Sequence, residues 1–188
     1  MFYIVLGLFS FLLFFLYDIN SVIIKSKLLD LSFFAGILLL AVSTGGLVIS
    51  SADQIRFDLI RTGICGTLAV IFLLLLIYTL FFALPFKETY LEPDAPRKVY
   101  RKGLYALCRH PGVLMFIAFY LFLGLALKSG IFYIASVIFS GLNIGYVCFQ
   151  DCWTFMKTFP DYGEYKRETP FLLPRLRSIK KCFQTISQ

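Results

Sequence analysis

A short polar segment between two hydrophobic runs contains the residues of this chain best suited to chemistry. Arg109, His110 and Pro111 follow one another there, and His110 is the only histidine in the sequence. An ionisable pair at the mouth of a membrane segment is costly unless it is solvated or paired. Pro111 suits the first turn of a following helix, whose free N–H groups can bind an anionic group. We therefore expect this segment to form part of a binding site.

Residues in two other stretches would complement such a site. Tyr100 and Tyr105 could stack on a flat ring, and Asp151 could bind the ammonium group of an amino-acid-like ligand. Together with the segment around His110 they would suit a nucleoside joined to a zwitterion. Each residue also has an ordinary interpretation: the tyrosines as an interfacial belt, Asp151 as the partner of a lysine, and His110 as bound to a backbone carbonyl.

The composition indicates which class of chain must position these residues. Of the 188 residues, 59% are hydrophobic and 15% are charged, which excludes an ordinary soluble domain. The net charge of +7 comes from basic residues that flank apolar runs, so it favours a membrane protein over a nucleic-acid-binding one. The five cysteines show no paired spacing and are interpreted as free thiols, and no metal site is expected.

Five apolar stretches predict an all-α fold, an integral membrane bundle of five transmembrane helices with a C-terminal cytoplasmic tail. We expect a single membrane domain over residues 1–188. The first stretch lacks the basic start and cleavage site of a signal peptide, so we interpret it as a retained helix. The predicted spans cover about residues 2–17, 32–51, 63–84, 112–128 and 131–149.

Two local patterns predict how these spans pack. Small residues at 43–46 in the second span are typical of close contacts between helices in lipid. The tight turn at 128–130 makes the fourth and fifth spans an antiparallel hairpin. The hairpin brings Arg109 to Pro111 close to Asp151 and to the 159–165 region, although some forty residues separate them in sequence.

The distribution of basic residues predicts the orientation of the bundle. With five spans, the 18–31 loop, the 85–111 loop and the C-terminal tail share one side, which carries fifteen Lys and Arg residues. The other side carries three. The positive-inside rule then places the long loop and the tail in the cytoplasm and the N-terminus outside.

The order and spacing of the motifs resemble the isoprenylcysteine carboxyl methyltransferase family, which is grouped with the phospholipid N-methyltransferases. The matching elements are Gly103-x-Tyr105-x-x-x-Arg109-His110-Pro111, a hairpin of spans, an acidic position eight residues before Phe159-Pro160-Asp161-Tyr162-Gly163-Glu164-Tyr165-Lys166, and Thr169-Pro170-Phe171-Leu172-Leu173-Pro174. The resemblance covers roughly residues 86–176. It implies an integral-membrane enzyme that uses S-adenosylmethionine to methylate a small lipophilic or lipid-linked acceptor with a carboxylate, amine or thiol group.

The resemblance also implies which residues line the cofactor pocket, with Asp151 standing where the family has a glutamate. These residues are Arg97, Lys98, Val99, Tyr100, Tyr105, His110, Pro111, Gly112, Val113 and Asp151. No residue is assigned a catalytic role. The cofactor would enter from the cytoplasm and the acceptor from the lipid bilayer, and no nucleic acid is expected as a partner.

The chain departs from the family pattern where a substrate would bind. The family usually continues Arg-His-Pro-x-Tyr-x-Gly, whereas this chain has Gly112-Val113-Leu114-Met115. Near Val147 the prenylcysteine enzymes have an arginine, and its absence removes the direct counterion of a carboxylate substrate. Two alternatives therefore stay open, an NADPH-dependent membrane reductase on a related scaffold and a non-catalytic membrane protein that retains the fold.

Overall fold

The computed structural model describes residues 1–52, 58–83 and 98–186, and within these ranges it contains no β-strand. The fold is therefore all-helical, as predicted. Two of the long helices continue into π-helical turns, at Asn20–Ile24 and Gln150–Thr154. The α-helices are α1 (Phe2–Ile19), α2 (Leu31–Ser51), α3 (Leu59–Phe81), α4 (Leu104–Leu107), α5 (Pro111–Leu127), α6 (Gly130–Phe149), α7 (Phe155–Thr158), α8 (Tyr162–Glu168) and α9 (Leu176–Ile186).

Four helical segments of the described chain are long and apolar enough to cross a membrane, counting each with its π-helical extension. They are Phe2–Ile24, Leu31–Ser51, Leu59–Phe81 and Gly130–Thr158. Helix α5 is also apolar but has 17 residues, about 25 Å at 1.5 Å per residue, against a hydrocarbon core of about 30 Å. The chain thus has the helices of a multi-pass membrane protein, while α5, which corresponds to the fourth predicted span, is shorter than the four long segments.

The start of α3 differs from the predicted boundary. The sequence predicts a span over 63–84, but the helix begins at Leu59 and ends at Phe81. Asp58 explains the earlier start, because its side chain accepts a hydrogen bond from the Arg61 N–H at 3.3 Å and so caps the helix. Residue 84 lies outside the described ranges.

The bundle is built from two helix pairs joined through α6. Helix α1 packs along α2, α3 packs along α5, and α6 contacts α1, α2 and α5. The core between them is strongly aromatic, and Phe11, Tyr120, Phe132 and Phe139 are fully buried in it. Aromatic rings therefore fill much of the space between the helices.

Small and hydroxylated residues of α2 make the close contacts that the sequence predicts. Ser43 Oγ donates to the carbonyl oxygen of Tyr3 at 2.6 Å, and Thr44 Oγ1 lies 2.6 Å from the hydroxyl of Tyr120. Gly46 lies directly against the ring of Tyr3. These contacts tie α2 to α1 and α5.

The hairpin of α5 and α6 is confirmed. Lys128 adopts a left-handed backbone conformation with φ of 52°, and its N–H donates to the Gly124 carbonyl at 2.8 Å, which ends α5. Ser129 then precedes α6, and its hydroxyl accepts a hydrogen bond from Ser51 Oγ at 2.9 Å. The far end of α6 consequently lies beside the start of α5.

Candidate functional site

Asp151 lies at the centre of a buried polar cluster at the junction of α5, α6 and α8. Arg109 approaches with Nε 2.7 Å from Oδ1 and Nη2 3.2 Å from Oδ2. The Tyr162 hydroxyl donates to Oδ1 at 2.7 Å, His110 Nε2 lies 3.3 Å from Oδ1, and Lys166 Nζ lies 2.8 Å from Oδ2. Only 3% of the surface of Asp151 is exposed, so this residue contacts other protein groups and almost no solvent.

A π-helical turn presents Asp151 to this cluster. The turn covers Gln150–Thr154, directly after α6, and π turns inside α-helices frequently mark functional sites. On another face of the same turn, Thr154 Oγ1 lies 3.4 Å from Oδ2 of Asp18, which is buried at the end of α1. The turn therefore connects the polar cluster with the first helix of the bundle.

Arg109 joins the start of α5 to the segment that follows α8. Its Nη1 donates to the carbonyl oxygens of Lys166 at 2.9 Å and Thr169 at 2.8 Å. The backbone continues the same contact, since the Arg109 N–H donates to the Pro170 carbonyl at 2.9 Å. A guanidinium group suits this position because its several fixed donors can serve a carboxylate and two carbonyls at once.

His110 is held between two aromatic rings. Its ring stacks on Phe155 with centroids 5.8 Å apart and an interplanar angle of 11°, and Phe171 meets it edge-on at 5.2 Å. Burial lowers the pKa of His110 from its usual 6.5. The nearby charges of Arg109 and Lys166 also lower this pKa, whereas Asp151 raises it. The imidazole is therefore neutral at neutral pH.

Because His110 is buried and neutral, we predict that the protein loses stability on acidification. The unfolded chain protonates His110 near pH 6.5, whereas the folded chain does so at lower pH, so stability falls as the pH drops from about 6.5 towards the folded value. Thermal unfolding of wild type and His110→Gln should be compared at pH 7.5 and 5.5. We expect a smaller acid-induced drop in Tm for His110→Gln, and equal drops would contradict a buried neutral imidazole.

The two predicted ring-stacking tyrosines lie together, next to the cluster. Tyr100 and Tyr105 are partly exposed and meet edge to face with centroids 6.2 Å apart. The Tyr165 hydroxyl donates to the Tyr105 carbonyl at 2.6 Å, and the Tyr165 ring meets that of Tyr162 at 5.8 Å. A row of tyrosines thus leads from this pair to Asp151.

The other predicted cofactor residues are less directly placed. Lys98 is exposed, and the Val99 N–H donates to Asp161 Oδ1 at 3.1 Å. Pro111 and Val113 are buried in the first turn of α5, and a side chain at Gly112 would point towards α3. Helix packing therefore uses these last three positions. Arg97, also predicted, lies outside the described residues.

Three residues of the cluster belong to the sequence motif but were not assigned to the predicted pocket, namely Arg109, Tyr162 and Lys166. Tyr162 and Lys166 stand four residues apart on α8, so their side chains share one face, and this spacing is the signal that groups them. Burial, reinforced by Asp151, raises the pKa of Tyr162 well above its usual range, so its hydroxyl stays a donor to the carboxylate.

The cysteine that directly precedes Arg109 is buried and protonated. All five cysteines are free, as expected. Burial raises the pKa of Cys108, which directly precedes Arg109, to about 11, so its thiol is protonated at neutral pH. Among the residues that the structure describes, no three His, Cys, Asp or Glu side chains come together to hold a metal ion.

Fold and cluster together define a helical multi-pass membrane protein with an aspartate-centred polar cluster at one end of its bundle. Comparisons with protein-family models, curated proteins and solved structures give no match. The family resemblance in the sequence therefore stays a prediction, and a functional proposal has to be supported by the motifs and by the geometry around Asp151.

Proposed function

We propose that this protein is an integral-membrane methyltransferase that uses S-adenosylmethionine and methylates a small lipophilic or lipid-linked acceptor. The sequence resemblance supports the class of reaction. One observation in the structure supports the ligand: the buried carboxylate of Asp151 is bound by the ammonium group of Lys166, whose side chain is 37% exposed.

Lys166 is the partner of Asp151 that a ligand can most readily replace. The side chains of Arg109 and His110 are 8% and 5% exposed, so moving either would disrupt the packed cluster. A ligand ammonium group has the same charge and the same three N–H donors as the lysine. It can therefore take the place of Lys166 without leaving Asp151 unpaired, and the cluster fits the amino-acid end of the cofactor.

The tyrosine pair fits the other end of such a ligand. Tyr100 and Tyr105 are partly exposed, and an aromatic ring can stack on either of them. Tyr165 and Tyr162 connect this pair with Asp151. The two ends of a nucleoside joined to an amino acid would thus meet groups of matching chemistry.

The remaining tasks of the protein are positioning and the exclusion of water. When bound, the cofactor supplies an electrophilic methyl group on a sulfonium. Arg109 and Tyr162 fix the orientation of Asp151, and neutral His110 adds no positive charge beside the ligand. We assign no catalytic residue, because the proposal does not specify the acceptor, and an amine or thiol would need a base whereas a carboxylate or thiolate would not.

The proposal includes a topology with five crossings, in which α5 spans the membrane despite its 17 residues. The N-terminus lies outside, and the C-terminal segment and the aspartate cluster lie in the cytoplasm. The fifteen-to-three distribution of basic residues supports this orientation. The cofactor then enters from the cytoplasm, and the acceptor reaches the site from the bilayer.

The test measures binding of S-adenosylmethionine, S-adenosylhomocysteine and NADPH to the purified protein in detergent. We expect the first two to bind, and Asp151→Asn to weaken binding by about 10- to 100-fold through loss of a charged hydrogen bond. Lys166→Met should tighten binding, because the ligand no longer competes with an internal ammonium group. Lys181→Met is the matched control, since its ion pair with Glu168 is exposed and does not include Asp151.

Absence of binding by the first two ligands would overturn the proposal. The lack of binding would favour the non-catalytic alternative. One observation supports that alternative, because protein groups already contact both carboxylate oxygens of Asp151. Binding of NADPH alone would indicate the reductase. The reductase is less well supported, because it needs basic residues to bind the phosphate of NADPH. Arg101, which could have served, already forms ion pairs with Asp161 at 2.9 Å, Glu164 at 3.4 Å and Glu168 at 3.9 Å.

A further inference from the structure

Helix α9 packs its small polar side chains inwards. Ser178 and Cys182 are 6% and 5% exposed, and Thr185 Oγ1 accepts a hydrogen bond from the Gly103 N–H at 3.0 Å. The helix lies against α4, and Lys181 Nζ lies 3.2 Å from Glu168 Oε2. The inner face of α9 is thus fixed by hydrogen bonds and small side chains.

Two large apolar side chains of the same helix point away from the protein, while Ile179 is half-buried. Leu176 is 81% exposed and Phe183 is 73% exposed, and their spacing of seven residues puts them on one side of the helix. Leu173, just before the helix, is 79% exposed. A surface helix of a soluble domain normally has the opposite arrangement, with its apolar side facing the core. We call Leu173, Leu176 and Phe183 the outer apolar strip.

The charges beside the strip are all positive. Arg177 and Lys180 are exposed, and Lys180 lies between Leu176 and Phe183 on the helix surface. Residues 170–188 contain no Asp or Glu. Apolar residues next to Lys and Arg on an amphipathic helix are typical of helices that lie in the interface of an anionic membrane.

The strip also begins where the hydrophobic bundle ends. Phe171 and Leu172 pack against the core cluster formed by the long helices, and Leu173 is the next residue along the chain. The strip therefore follows directly, along the chain, on residues that pack against the long apolar helices. A bilayer surface is the partner that both this position and the positive charge fit.

We propose that the outer apolar strip inserts into the interface of an anionic bilayer and that Arg177 and Lys180 contact its headgroups. Helix α9 then acts as an interfacial anchor that holds the segment after α8 against the membrane. Lys180 can place its aliphatic stem along the apolar surface and its ammonium group at the headgroups. The inference is independent of the proposed methyl transfer, since it requires no cofactor.

The test uses single-tryptophan variants of the full chain. Trp153→Phe removes the only tryptophan. Either Phe183→Trp or Leu176→Trp is then added as a fluorescent reporter in the strip, so that a second variant is at hand if the first folds poorly. Lys181→Trp is the matched control, because the Lys181 side chain is 44% exposed on the same helix but lies five residues after Leu176 and two before Phe183, on the opposite side. The proteins are reconstituted into phosphatidylcholine vesicles with 30% phosphatidylglycerol, roughly the anionic fraction that attracts basic segments, and with bromine on the acyl chains.

We expect a blue-shifted emission for both strip variants and bromine quenching about twofold or more stronger than for Lys181→Trp. Adding Arg177→Gln and Lys180→Gln should reduce the quenching in the anionic vesicles but leave it unchanged in pure phosphatidylcholine. Emission typical of water without quenching would overturn the proposal. Blue-shifted emission without quenching would also overturn it, because another protein surface, such as a second copy, would then cover the strip.

Discussion

Replacing Asp151 with alanine is expected to destabilise the protein by about 3–5 kcal/mol, the range for breaking a buried ion pair from one side. The Arg109 side chain is 8% exposed, so its guanidinium loses its counterion while it stays shielded from water. The Tyr162 hydroxyl loses its acceptor at the same time. The free energy of unfolding in detergent, from denaturant titration, measures the effect.

An exposed ion pair on the same part of the protein provides the control. Glu164 lies 3.4 Å from Arg101 with its side chain 65% exposed, so Glu164→Ala should cost less than about 1 kcal/mol. The double variant Arg109→Met with Asp151→Leu should recover part of the loss, because it removes both charges. If Asp151→Ala costs no more than Glu164→Ala, the carboxylate does not hold the cluster together.

Much of the fold could be predicted because long apolar runs have few alternatives in a membrane protein. Four predicted spans correspond to helices of sufficient length, and the hairpin at Lys128 is present. The boundaries were less predictable, since they depend on local caps and continuations. Asp58 starts α3 earlier than predicted, and α6 continues through a π turn that no apolar pattern encodes.

The site could be predicted in part. The hairpin correctly placed Arg109 beside Asp151, and the two side chains meet at 2.7 Å. The sequence left two partners open for Asp151, a ligand ammonium or a lysine, and the structure contains the lysine, Lys166. The position of Lys166 could not be predicted from sequence, because it depends on contacts that form only in the folded protein, such as the one from the Arg109 guanidinium to the Lys166 carbonyl.

The second large effect is expected in the bundle itself, at Gly7. A Cβ atom at this position would overlap the ring of Phe139 and lie 2.9 Å from Ser43 Oγ. Phe139 is fully buried between the helices, so its ring cannot swing into free space. We expect Gly7→Val to destabilise the protein by about 1–3 kcal/mol through overpacking where α1, α2 and α6 meet.

Gly45 offers a matched control for this prediction. It lies in another apolar helix, but a Cβ atom there would find no heavy atom within 4 Å. Gly7→Val and Gly45→Val change the helix propensity by the same amount, so the difference between their free energies of unfolding isolates the packing. Phe139→Leu should partly rescue Gly7→Val, because a smaller side chain opposite Gly7 makes room for the added methyl groups. Equal losses for the two valine variants would mean that the helices can separate at little cost.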